Sequence, residues 1–280
     1  MTRTIANWNL DETFDSDTGR IAWTSFGAPT APPVVLLHGT PFSSFIWHDI
    51  APALAHDHRV YVWDMPGYGQ SERSVGQDLS LPNLGRVFAA LVDHWGLTDP
   101  TVIAHDTGGG LALDAHVTHG VSYGRLALVD AVALAPWGSP FFQAVGDHLD
   151  VLARIPSTLH EPLLRAYLDQ ASGRGLHPCD LDGLMAPWSG DRGQADFYRQ
   201  LEFRRADEAY TDRIKDQYPA ITMPVHLYWG TEDDWIPVDR AHELLARIPG
   251  SRLRMLPEAG HLSPLDNPAA LTCGLMSFLR

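Results

Sequence analysis

The sequence predicts an α/β protein: a mostly parallel, eight-stranded sheet with helices on both faces and an inserted helical cap. Three observations carry this expectation. Short continuous apolar runs such as Val34-Val35-Leu36-Leu37 suit strands buried on both faces of a parallel sheet. Between such runs lie segments with apolar residues at helical spacing, as in Leu84, Val87, Phe88, Leu91, Val92 and Trp95. Strand–helix alternation of this kind implies right-handed crossovers. From Ala135 to about Pro219 the rhythm changes to helical patterns with no strand between them. The expected plan is core over residues 1–134, cap over 135–219 and core again over 220–280.

Taken in order, Thr4 to Leu10 and Arg20 to Phe26 read as strands around the turn Asp15-Ser16-Asp17-Thr18-Gly19. Pro32-Pro33 stops the chain before the strand Val34 to Leu37, which ends in His38-Gly39-Thr40-Pro41. A helix from Ser43 or Ser44 carries Trp47, Ile50 and Leu54. The strand Arg59 to Trp63 runs into a turn-rich loop, Asp64 to Ser71. Leu81 to Trp95 is an amphipathic helix closed by Gly96. Thr101 to Ala104 is a strand with a helix behind it to about His119, and Arg125 to Leu134 is another strand. In the cap, Phe141 to Ile155, Leu159 to Ala171, Cys179 to Leu184 and Gln194 to Arg213 read as helices. The core resumes with a strand from Pro224 to Gly230, a helix from Asp239 to Ile248, a strand from Arg252 to Leu256 and a last helix from Ala269 to Leu279.

The chain has 280 residues, enough for one large core with an inserted lobe, and a formal net charge of −14. That charge disfavours nucleic acid and anionic membranes, and points to a small-molecule substrate. Cys179 and Cys273 give neither a disulfide framework nor a metal spacing. Met1 to Leu10 lacks the apolar core of a signal peptide, and no run approaches the ~20 apolar residues of a membrane span. A cytoplasmic protein is expected, with a homodimer left open. No cofactor is expected, because Gly108-Gly109-Gly110 lacks the spacing of a dinucleotide loop.

Open α/β sheets bind ligands at the carboxyl ends of their strands. Four polar clusters lie at such ends: His38 to Pro41, Asp106, Glu232 to Asp234, and His261. Asp106 sits between the strand Thr101–Ala104 and the small residues Gly108-Gly109-Gly110, in the pattern Ala104-x-Asp106-x-Gly108. This is the strained strand–turn–helix of a nucleophile elbow, with Asp where Ser is usual. A carboxylate is already ionised at neutral pH. Attacking an acyl carbon it would give an anhydride; attacking a saturated carbon it gives an ester. Asp106 therefore favours displacement of a halide or opening of a strained C–O bond. It disfavours esterase or peptidase work. His261 is the expected base, since an imidazole titrates near neutrality. The backbone N–H groups of Thr40 and Thr107 are the expected oxyanion and leaving-group donors. His38, Tyr68 and Ser71 are expected to be structural.

These motifs resemble the α/β-hydrolase superfamily, and within it the branch of haloalkane dehalogenases, fluoroacetate dehalogenases and epoxide hydrolases. The chain order Asp106, acid, His261 is the superfamily's order. His38-Gly39-Thr40-Pro41-Phe42-Ser43-Ser44-Phe45-Ile46-Trp47 is similar to the oxyanion segment of dehalogenases, and His105-Asp106-x-Gly108-Gly109 to the elbow of the Asp-nucleophile branch. The family spacing Gly-x-x-Asp-x-x-x-Pro implies Asp233 as the acid within Gly230 to Pro237, with Asp130 as the alternative. Three departures stand out. Haloalkane dehalogenases usually carry Trp after the nucleophile and often Asn after His-Gly; here these are Thr107 and Thr40. Fluoroacetate dehalogenases carry Arg after the nucleophile, and Thr107 cannot replace it. Epoxide hydrolases protonate the leaving oxygen with cap tyrosines, for which Tyr167, Tyr198 and Tyr210 are candidates, with Tyr218 at the edge; Trp137 and Trp188 are candidate halide donors. The resemblance implies a cofactor-free hydrolase, most like a haloalkane dehalogenase acting on a small apolar molecule. The alternatives are an epoxide hydrolase, a cofactor-free lyase or isomerase using Asp106 and His261 as acid and base, or a non-catalytic binding homologue.

Overall fold

A computed structural model describes residues 8–280. Its eight strands are β1 (Glu12–Ser16), β2 (Gly19–Phe26), β3 (Pro33–Leu37), β4 (Arg59–Trp63), β5 (Thr101–His105), β6 (Arg125–Val129), β7 (Val225–Gly230) and β8 (Arg252–Leu256). They form one sheet in the order β1-β2-β4-β3-β5-β6-β7-β8. β1 and β2 are antiparallel to their neighbours, and the remaining five pairings are parallel. The central strands carry the apolar runs: Val34 to Leu37 and Val102 to Ala104 are fully buried, as double coverage demands.

Helices cover both faces. On one, α2 (Leu81–His94) packs against α3 (Thr107–Val117), while α1 (Ile50–Leu54) meets α12 (Pro268–Leu279). α2 turns Leu84, Val87, Phe88, Leu91 and Val92 inward, each worth about 1.5–3 kcal/mol on burial. α10 (Val238–Arg247) links β7 to β8, and the short α11 (Ser263–Asp266) follows β8. Between β6 and β7 the chain is helical: α4 (Pro140–Asp147), α5 (Leu149–Leu152), α6 (Ser157–Asp169), α7 (Pro178–Met185), α8 (Gly190–Arg199) and α9 (Arg204–Ile214).

The structure departs from the expected elements in four places. The strand expected over Thr4 to Leu10 lies partly outside the described residues, and Trp8 to Leu10 are not strand. The first strand is Glu12–Ser16, whose last two residues, Asp15 and Ser16, fall in the expected turn. It is a largely exposed edge strand, so no apolar alternation marks it, and the Ser16 hydroxyl closes the turn on Gly19 O at 2.7 Å. The strand expected to reach Leu134 stops at Val129 because Asp130 adopts φ 45°. The single helix expected after Ser43 is a 3₁₀ turn, Ser44–Trp47, followed by α1. In the insertion, the expected helix Phe141 to Ile155 breaks at His148 and Gln194 to Arg213 breaks after Arg199.

Candidate active site

β5 ends at His105, and Asp106 takes φ 54°, ψ −129° before α3 begins. Such a conformation costs a non-glycine residue on the order of 1–3 kcal/mol, so its surroundings must impose it. They do so through the backbone. Asp106 N–H donates to Val129 O at 3.2 Å, and Asp106 O accepts from Val132 N–H and Gly109 N–H, both at 2.9 Å. The turn is too tight for side chains behind it: a Cβ on Gly108 would lie 2.3 Å from His38 O.

Both carboxylate oxygens of Asp106 are engaged. Oδ1 accepts from Thr40 N–H at 2.6 Å, and Oδ2 lies 3.1 Å from His261 Nε2. Gly39 makes the first contact feasible, since a Cβ there would lie 2.1 Å from Oδ1. Burial pushes the Asp106 carboxyl up, but the His261 hydrogen bond and charge hold it below its usual range. Asp106 is an anion.

His261 follows β8 and is fully buried. Its Nδ1 lies 3.0 Å from Asp233 Oδ2. The other Asp233 oxygen accepts from Trp235 N–H at 2.9 Å and Ile236 N–H at 2.8 Å, which orients the carboxylate. Burial pulls His261 down, but the Asp233 charge and the Asp106 hydrogen bond raise it well above its ordinary value. The two carboxyl groups on either side of the imidazole thus favour its protonated form. His105 Nε2–H donates to His261 O at 2.8 Å. Burial and then the His261 charge push His105 down to about 3, so it stays neutral and pins the His261 backbone. The Trp235 ring stacks on His261 at 5.1 Å, and Tyr167 of α6 stacks on Trp235 at 4.2 Å.

Asp130 lies nearby but is occupied differently. It accepts from Gly230 N–H at 2.7 Å and from the Ser263 hydroxyl, and burial, then the Asp233 charge, push it well above the carboxylate range. It ties β6 to β7 and α11, and the imidazole Nδ1 faces Asp233. His38 is likewise held by backbone: Nε2 accepts from Met65 N–H at 2.9 Å, and Nδ1 meets Gly39 O at 3.0 Å. Ser71 donates to Asp64 O at 2.5 Å. Tyr68, expected to be structural, reaches the site: its hydroxyl is 2.7 Å from Thr40 Oγ1, which accepts from Thr107 Oγ1 at 3.3 Å.

That hydroxyl chain borders a cavity of about 20 Å³, lined also by Trp137, Gln200 and Asp207 from the insertion. This is room for about one water molecule or one small substituent. The insertion's aromatic residues divide. Tyr167 feels the Asp106 charge, and its hydroxyl accepts from Ser139 Oγ at 3.3 Å. Trp137 lines the cavity, but its indole N–H donates to Thr211 Oγ1 at 3.2 Å. The Trp188 indole donates to Pro41 O at 2.7 Å. Tyr198 meets His160 Nδ1 at 3.3 Å, and Tyr210 donates to Asp114 Oδ1 on α3 at 2.5 Å. Trp137 and Tyr167 are thus brought to the site; the Trp188 ring packs edge-on against Tyr68, with its own donor spent on Pro41, while Tyr198 and Tyr210 pair with His160 and Asp114.

Sequence reasoning missed His105, Trp235, Gln200 and Asp207. His105 and Trp235 were within reach, being next to Asp106 and two residues after Asp233. Gln200 and Asp207 had no local signal. Among the described residues no His, Cys, Asp and Glu group of three or more is placed to hold a metal ion, and no helix is long and apolar enough to cross a membrane.

Residues 32–268 match the alpha/beta hydrolase fold family. The crystal structure of an alpha/beta hydrolase fold protein from Burkholderia ambifaria is 39% identical, with a TM-score of 0.90 over 96% of this chain and 98% of that one. Haloalkane dehalogenase 2 of Mycobacterium bovis is 28% identical, covering 94% of this chain and 92% of its own. A thermophilic esterase from Thermogutta terrifontis has the same fold, with a TM-score of 0.77 at 22% identity over 94% of this chain and 93% of its own. On sheet order, elbow and coverage alike, the chain belongs to the alpha/beta hydrolase fold family.

Proposed function

We propose that the protein is a cofactor-free hydrolase that displaces a leaving group from a saturated carbon through an ester on Asp106, in the manner of a haloalkane dehalogenase. The observation that carries this reading is an ionised carboxylate on a strained elbow, with one oxygen on Thr40 N–H and the other on His261. An Asp106 oxygen forms the new C–O bond as the carbon–leaving-group bond breaks. Halide departs as an anion; an oxygen leaving group takes a proton. The hydroxyls of Thr40, Thr107 and Tyr68 are the donors closest at hand, the Trp137 and Trp188 indoles being committed elsewhere.

Esterification then changes His261. The Asp106 charge is one of the causes of its raised pKa, and an ester carries no charge. Once His261 has given its resting proton to the leaving oxygen, or to solvent where halide leaves, Nε2 takes one from water, and the hydroxide attacks the Asp106 carboxyl carbon. The N–H groups of Thr40 and Thr107 stabilise the oxyanion. Collapse returns the carboxylate and frees the alcohol. A second reading, a cofactor-free lyase or isomerase, is favoured by the resting pair itself: a protonated His261 beside an ionised Asp106 is an acid and a base in contact.

The test is the intact mass and peptide map of His261→Gln after exposure to 1-bromobutane, 1,2-epoxybutane and γ-butyrolactone. An alkyl or hydroxyalkyl adduct on Asp106 is expected. Asp106→Ala should lower turnover by about 10⁴-fold or more. Turnover near the parent rate in that variant would sink the ester mechanism, and turnover without any trapped adduct would favour the lyase reading.

A further inference from the structure

Gln200 follows α8 and is only 6% exposed, yet neither its Oε1 nor its Nε2 has a hydrogen-bond partner. Buried side-chain amides are normally paired, so one with both ends unused calls for an explanation. Gln200 lines the same cavity as Thr40 and Thr107, the two residues that flank Asp106 in space. Asp207 stands beside it in the lining, 7% exposed, with Oδ1 accepting from Leu81 N–H at 2.9 Å. Burial pushes its carboxyl up to about 7.

The geometry points to a substrate that carries a neutral hydroxyl or carboxamide group, which pairs with Gln200 while the reacting carbon lies at Asp106. This rests on the Asp106 reading above and narrows its substrate class. A glutamine amide offers one acceptor and donors together, so its best partner offers both as well. Hydroxyl and carboxamide do. A carboxylate offers no donor, and would meet the Asp207 carboxyl in a lining that includes no Lys or Arg, with the Asp106 carboxylate just behind Thr40 N–H. A purely apolar substituent would leave the amide unpaired in the complex, the case such sites reject most strongly. The cavity's size fits one such group.

Two measurements test this. The first compares alkylation of Asp106 in His261→Gln with that in His261→Gln/Gln200→Leu, using 1-bromobutane, 3-bromopropan-1-ol, 3-bromopropanamide and 3-bromopropanoate. Leu keeps the volume and removes the amide. The rate with the alcohol or the amide, relative to 1-bromobutane, should be about tenfold higher when Gln200 is present. The same ratio in both variants would overturn the assignment, as would a Gln200-dependent gain for the carboxylate instead. The second measures binding of unreactive propanamide and 1-propanol to the wild type and to Gln200→Leu by ligand-observed NMR. Binding should weaken about fivefold or more in the variant. Equal binding would overturn the subsite. Gln200-dependent binding with no adduct from any probe would keep the subsite and sink the Asp106 nucleophile instead. Absence of both an adduct and Gln200-dependent binding would overturn the subsite.

Discussion

Two sides of the candidate site are built differently. On the sheet side, Asp106, His261 and Asp233 have each polar end engaged, and Thr40, His105 and Trp235 hold them in turn. On the side of the helical insertion, Trp137 and Trp188 spend their donors on protein partners, and Gln200 spends none. The sheet groups sit at strand ends, where backbone register and forced turns leave one arrangement. The insertion's groups sit on helices whose packing sets their place, and one is left with spare hydrogen-bonding capacity. On the proposed reading this is a division of labour: strand ends position the reacting atoms, and the insertion chooses what is presented to them.

The strongest way to break that comparison is to remove a sheet-side group and find little change. Asp233→Asn should lower kcat by about 10⁴-fold, because the imidazole loses its orienting charge. Asp130→Asn should cost far less, about tenfold at most, because Asp130 braces Gly230 and Ser263 instead. Steady-state kinetics of the two variants decide between the acids, and a reversed order would reassign the role. Next in size is Gly39→Ala. Its Cβ would fall 2.1 Å from Asp106 Oδ1, so the carboxylate must move off Thr40 N–H. We expect about 100-fold in kcat/KM and a loss of about 1–3 kcal/mol in urea unfolding.

The triad's charges also predict a pH dependence of stability. Asp106 is held below its ordinary 3.8, so its contribution is present above that value and is lost as pH falls through the folded pKa. His261 is raised above 6.5, so its contribution is full below that value and is lost as pH rises through the folded pKa. The triad's stabilisation should therefore be greatest between those two ordinary values and decline on either side. Urea unfolding across pH should show this in the wild type, with both flanks shallower in Asp106→Asn. Parallel curves for the two proteins would mean that the pair is not coupled. The smallest effect belongs to the insertion wall. Trp188→Phe removes the donor to Pro41 O and should cost about 1–3 kcal/mol of stability. Adduct formation at Asp106 should persist; its loss would return Trp188 to the reacting centre.

Much of this was legible in residue order. The buried parallel strands announce themselves as apolar runs because both faces are covered. The elbow shows as a strand followed by a polar residue and glycines, because nothing else fits a turn where a Cβ would lie 2.3 Å from His38 O. Asp106 and His261 could be named because strand ends in such a sheet are where chemistry collects. Glu12–Ser16 was hidden because an edge strand pairs through its backbone and needs no apolar code.

What the linear chain decided by itself was therefore the parallel part of the sheet, the elbow and the candidate pair Asp106 and His261, all consequences of local pattern and strand burial. Tertiary structure alone decided that Asp233 faces the imidazole while Asp130 braces the sheet. It also decided that Trp188 and Tyr210 tie the insertion to the core, and that Gln200 and Asp207 share a cavity with Thr40 and Thr107. The physical reason is range. Periodicity and turn chemistry act over a few residues, whereas the contacts between the insertion and the core join positions 96 and 147 residues apart, and only packing selects which side chains meet.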